Sequence, residues 1–221
     1  MSLLGLSGLD RKSWLQAFKS SARIIALGLV GIILAWAILR VASPVTDHDV
    51  ALALYNTGAS ETVARVWWVI VSVGDLIWVP LIFWLYVFRN NKHEWTTAVV
   101  LAVAMVAAMA ATDILKLAFH LPRPFTQYPL EFTARLEQPT NYAYPSGHTT
   151  NAFTLVAVIW NRYKPWRIPF LALGLGTGIG MVVLALHFPS DVVGGAFLGV
   201  LSASFAISIG KLRSGDAAVT P

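Results

Sequence analysis

The chain has 221 residues, 57% of them hydrophobic and only 12% charged, with a mean hydropathy of +0.66, too little polar surface to cover a soluble globule of this size, which points to an integral membrane protein. The absence of cysteine excludes disulfides, thiolate nucleophiles and Cys-bearing zinc sites, so a nucleophile must be Ser, Thr, His or a carboxylate. The net charge of +5 comes from basic residues spread over loops rather than from one patch with stacking aromatics, which argues against a nucleic-acid partner.

Residues 1–23 carry Asp10, Arg11, Lys12, Trp14, Phe18 and Lys19. That mixture predicts an interfacial amphipathic helix rather than a cleaved signal, since no short apolar core ends in a small-residue cleavage site. Six apolar stretches follow, Ile24–Ala42, Val66–Phe88, Ala98–Phe119, His148–Trp160, Ile168–Leu186 and Val192–Ile209, and predict an all-α bundle of six transmembrane helices in a single domain, 1–221. The fourth is short for a hydrocarbon core of ~30 Å, so it is expected to extend back to Ser146 or to present little perimeter to lipid. Asp75 inside the second stretch is costly unless partnered and is expected to face the bundle interior or water. Trp67, Trp68, Trp78, Trp84 and Trp95 read as interfacial anchors. Gly174, Gly176, Gly178 and Gly180 alternate along the fifth stretch and read as close helix packing.

Charge orients these helices. With the N-terminus in the cytoplasm, that side receives Arg11, Lys12, Lys19, Arg23, Arg89, Lys92, Arg162, Lys164, Arg167, Lys211 and Arg213, and the other side keeps Arg40, Arg65, Lys116, Arg123 and Arg135. The positive-inside rule then places both termini in the cytoplasm. Three polar clusters, Lys116–Pro124, Pro145–His148 and His187–Asp191, fall together on the opposite, extracytoplasmic face.

Each cluster has an ordinary reading when taken alone: a snorkelling lysine with a loop arginine, a serine helix cap, and a capped helix beside an interfacial histidine. Taken together they hold what phosphoryl transfer without a metal needs. Lys116 and Arg123 supply fixed positive charge, with Pro122 and Pro124 predicting that the helix ends near His120 and that Arg123 sits in an extended loop facing back over the span. Asp113 can pair with Lys116 one turn away. Ser146 can cap the fourth helix, whose N-terminal N–H groups attract an anion, while Gly147 permits close backbone approach and His148 can protonate a leaving oxygen. His187, expected at a water-facing helix end, can present one ring nitrogen to phosphorus while Asp191 holds the other.

The Lys-to-Arg-Pro spacing from Lys116 to Pro124, the string Pro145-Ser146-Gly147-His148, and His187 with Asp191 four residues later resemble the motifs of the type-2 phosphatidic acid phosphatase superfamily. The resemblance covers roughly Asp113 to Gly199. It implies Lys116, Arg123, Ser146 and Gly147 as phosphate-binding positions, His148 as general acid, His187 as nucleophile and Asp191 as its orienting carboxylate. It further implies a membrane lipid substrate and hydrolysis of a lipid phosphate or diphosphate through a phosphohistidine, with no metal and no cofactor. Polyprenyl diphosphates, phosphatidylglycerol phosphate and phosphatidic acid are the substrates it brings. The family pattern also places a Ser-Arg pair six positions before the nucleophilic histidine, and this chain has Gly180-Met181 there. The lost guanidinium leaves three possibilities open: replacement by Arg40, Arg65 or Arg135, a substrate needing less charge neutralisation, or a protein that binds lipid phosphate without turnover. A lipid phosphotransferase would share every residue named.

Overall fold

A computed structural model describes residues 43–87, 92–136 and 138–214, together with residues 28, 31 and 40. The expected N-terminal interfacial helix and, apart from those three residues, the first expected span lie outside the described residues. Among the described residues the fold is all-helical, without strands. Helix α1 (Pro44–Thr57) opens on a proline whose missing N–H costs nothing in a first turn. Helix α2 (Glu61–Leu76) is capped by Ser60, whose hydroxyl accepts from the Val63 N–H at 3.2 Å. Helix α3 (Trp78–Val87) follows after a bend of 40°. The expected second stretch is therefore, from Val66 to Val87, a broken helix rather than a straight span. Pro80 explains the break, because it lacks the N–H that would reach the Leu76 carbonyl.

Helix α4 (Lys92–Phe119) ends where the paired prolines predict, at His120, which takes the left-handed conformation with φ of 51°. Arg123 then caps a single turn, α5 (Pro124–Gln127). Helix α6 (Gly147–Arg162) does begin next to Ser146, and a 3₁₀ turn (Lys164–Trp166) joins it to α7 (Arg167–Val183), which is followed by α8 (Pro189–Ser214).

The short helix α6 is the hub. It packs against α8, α7, α4 and α2, and Thr149, Thr150, Ala152, Thr154, Leu155, Val156, Val158 and Ile159 are all buried along it. Enclosure by other helices accounts for its 16 residues, since a helix with little perimeter toward lipid need not match the hydrocarbon thickness. Among the described residues three segments are long and apolar enough to cross a membrane, Glu94–Gln127, Lys164–Val183 and Pro189–Gly210, and the bent α2–α3 pair makes a fourth if it is one span. Val66, Val69, Phe83, Val106, Ile114, Leu117, Ile168 and Leu175 expose apolar side chains outward along these helices.

The alternating glycines of α7 serve two faces, as positions four apart share one side of a helix. A Cβ on Gly180 would approach Val71 of α2 to 2.7 Å, and one on Gly176 would approach Ile70 to 3.1 Å. On the other side, Gly178 faces Val192 of α8 and Gly174 faces Val156 of α6. Close packing, the expected meaning of this run, is what the helices use it for.

Candidate active site

The three polar clusters converge on one pocket of about 290 Å³ at the ends of α4, α6 and α7. Lys116, Arg123, Gly147, His148 and His187 line it, together with Asp75, Asp113, Asn141, Asn151 and Met181. Lys116 is carried by the last turn of α4 and donates from Nζ to the Tyr142 carbonyl at 2.6 Å. No ion pair joins it to Asp113 among the described residues, so the expected pairing is replaced by a backbone contact that ties α4 to the loop before α6.

Arg123 is fixed on every side. Its Nε donates to the Asn141 carbonyl at 2.9 Å, Nη2 to the Asn141 side chain at 2.6 Å, and Nη1 to the Leu186 carbonyl at 2.8 Å. The same Nη1 lies 3.1 Å from Nε2 of His187. A guanidinium can only donate, so a hydrogen bond between the two uses the Nε2 lone pair. That lone pair is the one a nucleophilic imidazole would use.

His187 itself is 1% exposed, which corrects the expectation of a water-facing position. The turn that buries it follows from α7: the Leu186 N–H bonds the Met181 carbonyl at 3.0 Å and the Ala185 N–H bonds that of Val182 at 2.9 Å, with Ala185 left-handed at φ of 59°. This Schellman closure folds the chain back under the pocket. Burial, and then the charges of Arg123 and Lys116, hold the imidazole well below its ordinary titration range, so it is neutral. Asp191 Oδ2 stands 3.5 Å from Nδ1 and accepts the Phe188 N–H at 2.9 Å. The carboxylate lies beside the imidazole, though at longer than hydrogen-bond distance, and it does not line the pocket.

Ser146 also sits behind the pocket wall. It is fully buried, its N–H bonds the Asp191 carbonyl at 3.0 Å, and its hydroxyl accepts from Thr149 Oγ1 at 3.0 Å instead of capping the helix backbone. No side chain caps the first turn of α6, and Gly147 and His148 in that turn both line the pocket, so its N–H groups are available to an anion.

Asn151 and Asp75, neither of them singled out as a site position by sequence, are joined at the pocket. Asn151 Nδ2 donates to Asp75 Oδ1 at 2.7 Å, and Asp75 Oδ2 lies 3.7 Å from Nε2 of His148. Asp75 thus finds the interior partner its cost demanded. Outside the pocket, Asp47 of α1 is buried against the turn that follows His187 and accepts both the N–H and the hydroxyl of Ser190, at 2.9 and 2.7 Å.

Met181 forms pocket wall where the resemblance places an arginine, and none of Arg40, Arg65 and Arg135 lines the pocket. Arg40 contacts Asp47 at 3.4 Å and Gln127 at 2.8 Å and stacks 3.9 Å over the Phe188 ring. Arg65 pairs with Glu61 at 2.6 Å on the surface of α2, and Arg135 donates to the Tyr55 carbonyl at 2.9 Å while covering its ring.

Comparison with known proteins meets this geometry from another side. Residues 97–214 match the sequence profile described as "PAP2 superfamily". A lipid A 1-phosphatase of Rhizobium etli is 30% identical over 180 residues, covering 70% of this chain and 78% of that protein. The bacitracin transport permease protein BcrC of Bacillus licheniformis is 30% identical over 125 residues, and the match spans 57% of this chain and 60% of that protein's length. Among solved structures, a transmembrane PAP2-type phosphatidylglycerolphosphate phosphatase from Bacillus subtilis superposes with a TM-score of 0.64 at 22% identity, covering 84% of this chain and 94% of the other.

Proposed function

The chain belongs to the PAP2 superfamily, and from that premise we propose that it is a membrane lipid phosphatase that removes phosphate from a lipid phosphate or diphosphate through a phosphohistidine on His187. The observation that carries this reading is Arg123 Nη1 held 3.1 Å from Nε2 of the buried His187, with Lys116 and His148 on the same pocket wall. Phosphate oxygens entering the pocket would take the N–H groups of Arg123, Lys116 and the first turn of α6, and the lone pair of Nε2 would then be free to face phosphorus.

In the first step the Nε2 lone pair forms the N–P bond as the bond from phosphorus to the lipid oxygen breaks. The electron pair leaves with that oxygen, which takes a proton from His148. In the second step neutral His148 takes a proton from water, the water oxygen bonds phosphorus, and the N–P electrons return to His187, releasing phosphate. The buried Asp191 carboxylate beside Nδ1 stabilises the positive charge the ring acquires while phosphorylated. The cations and backbone donors named above are the groups that would balance the charge on the transferred phosphoryl group.

The candidate substrates are polyprenyl diphosphates, phosphatidylglycerol phosphate, phosphatidic acid and the lipid A phosphates on which a 30%-identical relative acts by name. Six transmembrane helices with an N-terminal interfacial helix, both termini cytoplasmic and the pocket extracytoplasmic, complete the proposal. Met181 in the pocket wall supports a second reading, retention of a lipid phosphate with little turnover. Purified protein in detergent, incubated with that panel of lipids in EDTA, should release inorganic phosphate from at least one of them. Release from none, with binding retained, would leave the second reading.

A further inference from the structure

Between Arg65 and Arg89 the sequence holds one formally charged side chain, Asp75. Its position is unfavourable in two ways: the last turn of α2 carries the negative end of the helix dipole, and the surrounding segment is apolar. Two contacts nevertheless hold it at the pocket. Asn151 of α6 donates to Oδ1 at 2.7 Å. Gly74 lets α2 close onto α7, since a Cβ there would run into the Thr177 hydroxyl. The second oxygen, Oδ2, is left facing His148 Nε2 at 3.7 Å. His148 and Asn151 are three residues apart on α6 and so share a face, and all three side chains line the pocket. Among the described residues no lysine or arginine pairs with Asp75.

We propose that Asp75 is a positioning residue for His148: clamped by Asn151, it takes one ring nitrogen of His148 so that the other exchanges the reaction's proton. This rests on the phosphatase reading above. With Nε2–H directed at Asp75, Nδ1 carries the proton that passes to the lipid oxygen as the P–O electron pair departs. Nδ1 then takes a proton from water as the N–P bond breaks, so His148 ends as it began. Asp75 exchanges no proton in either step. Asn151 acts one step further out by satisfying Oδ1, which turns Oδ2 toward the ring.

Leaving-group dependence separates this role from a structural one. An alkyl phosphate expels a strongly basic oxygen that needs the proton, whereas p-nitrophenyl phosphate expels a stabilised phenolate that does not. In the full-length protein, Asp75→Asn should lower kcat on a long-chain alkyl phosphate by about 10- to 100-fold, short of the 10²–10⁴ that a general acid itself supplies. KM should stay within about threefold, and kcat on p-nitrophenyl phosphate within about fivefold. Asp75→Glu should recover part of the alkyl phosphate activity, and Asn151→Leu should show the same selectivity in weaker form, which keeps the test open if Asp75→Asn folds poorly. Equal loss on both substrates, or none on either, overturns the positioning role while leaving the phosphatase intact. If the wild-type chain hydrolyses neither compound, both readings fall together.

Discussion

In the proposed reaction His187 attacks phosphorus as the neutral imidazole, and burial and then the adjacent charges of Arg123 and Lys116 hold its pKa well below the ordinary value. Its pKa in the folded chain lies below the unfolded value of about 6.5, so the unfolded state binds more protons as the pH falls through that value. Stability should therefore drop from pH 7.5 toward pH 5, and His187→Ala, which removes the linkage, should flatten the thermal unfolding midpoint over the same range. The same substitution should abolish phosphate release. Turnover within tenfold of wild type, or an unchanged pH slope, would remove His187 from its assigned role. Met181 poses the complementary question. A charged donor aimed at transition-state charge is commonly worth ~10²–10³ in rate, and Arg40, Arg65 and Arg135 all have partners outside the pocket. Compensation from those side chains is thus not in place, so Met181→Arg should raise kcat/KM by tenfold or more and Arg65→Ala should change it little. A fall in Met181→Arg with a large loss in any one arginine variant would reverse that conclusion. Lys116, Arg123, His148 and His187 were legible in the sequence because polar groups in an apolar chain are expensive and stand out. The Asp75–Asn151 pair was not, because its members are 76 positions apart and only helix packing joins them.

Helix α8 approaches α6 more closely than its hydropathy reveals. Gly195 and Gly199 stand four apart on one face, and a Cβ on Gly195 would come 2.6 Å from the Ser146 carbonyl, while one on Gly199 would collide with the backbone of Thr150. Both contacts lie against the turns that carry Gly147 and His148. Neither neighbour is a movable side-chain tip, so Gly195→Ala must push the helices apart, at an overpacking cost of roughly 1–3 kcal/mol. The expected result is a lower unfolding temperature in detergent and reduced phosphate release, while Ala196→Gly, at a partly exposed position beside it, should leave release near wild type. Unchanged activity in Gly195→Ala would mean that α6 is not held in place by this seam. The glycine spacing was present in the sequence, whereas helix α1 was not predicted, because it lies outside any long apolar stretch. The α2–α3 bend was also missed: Pro80 was visible, but an apolar run reads as continuous whether or not its backbone is.

At the scale of the whole molecule the unresolved physical question is which side of the membrane the pocket faces, since hydropathy fixes where helices cross and says nothing of direction. The direction is set by the loops. Arg162, Lys164 and Arg167 cluster between α6 and α7, at the opposite end of α6 from the pocket, and the proposal that this end lies in the cytoplasm rests on the positive-inside rule. The pocket end carries Lys116 and Arg123 too, but both are turned inward and buried, where they act on a ligand rather than on topology. Counting charges without knowing their burial therefore understates the asymmetry. The chain contains no cysteine, so single cysteines report cleanly. Leu130 is 99% exposed in the loop after α5 and Lys164 is exposed at the other end. In intact cells an impermeant maleimide should label Leu130→Cys and spare Lys164→Cys until the membrane is opened. The reverse pattern would put the pocket in the cytoplasm and exclude lipids confined to the outer leaflet from the candidate substrates.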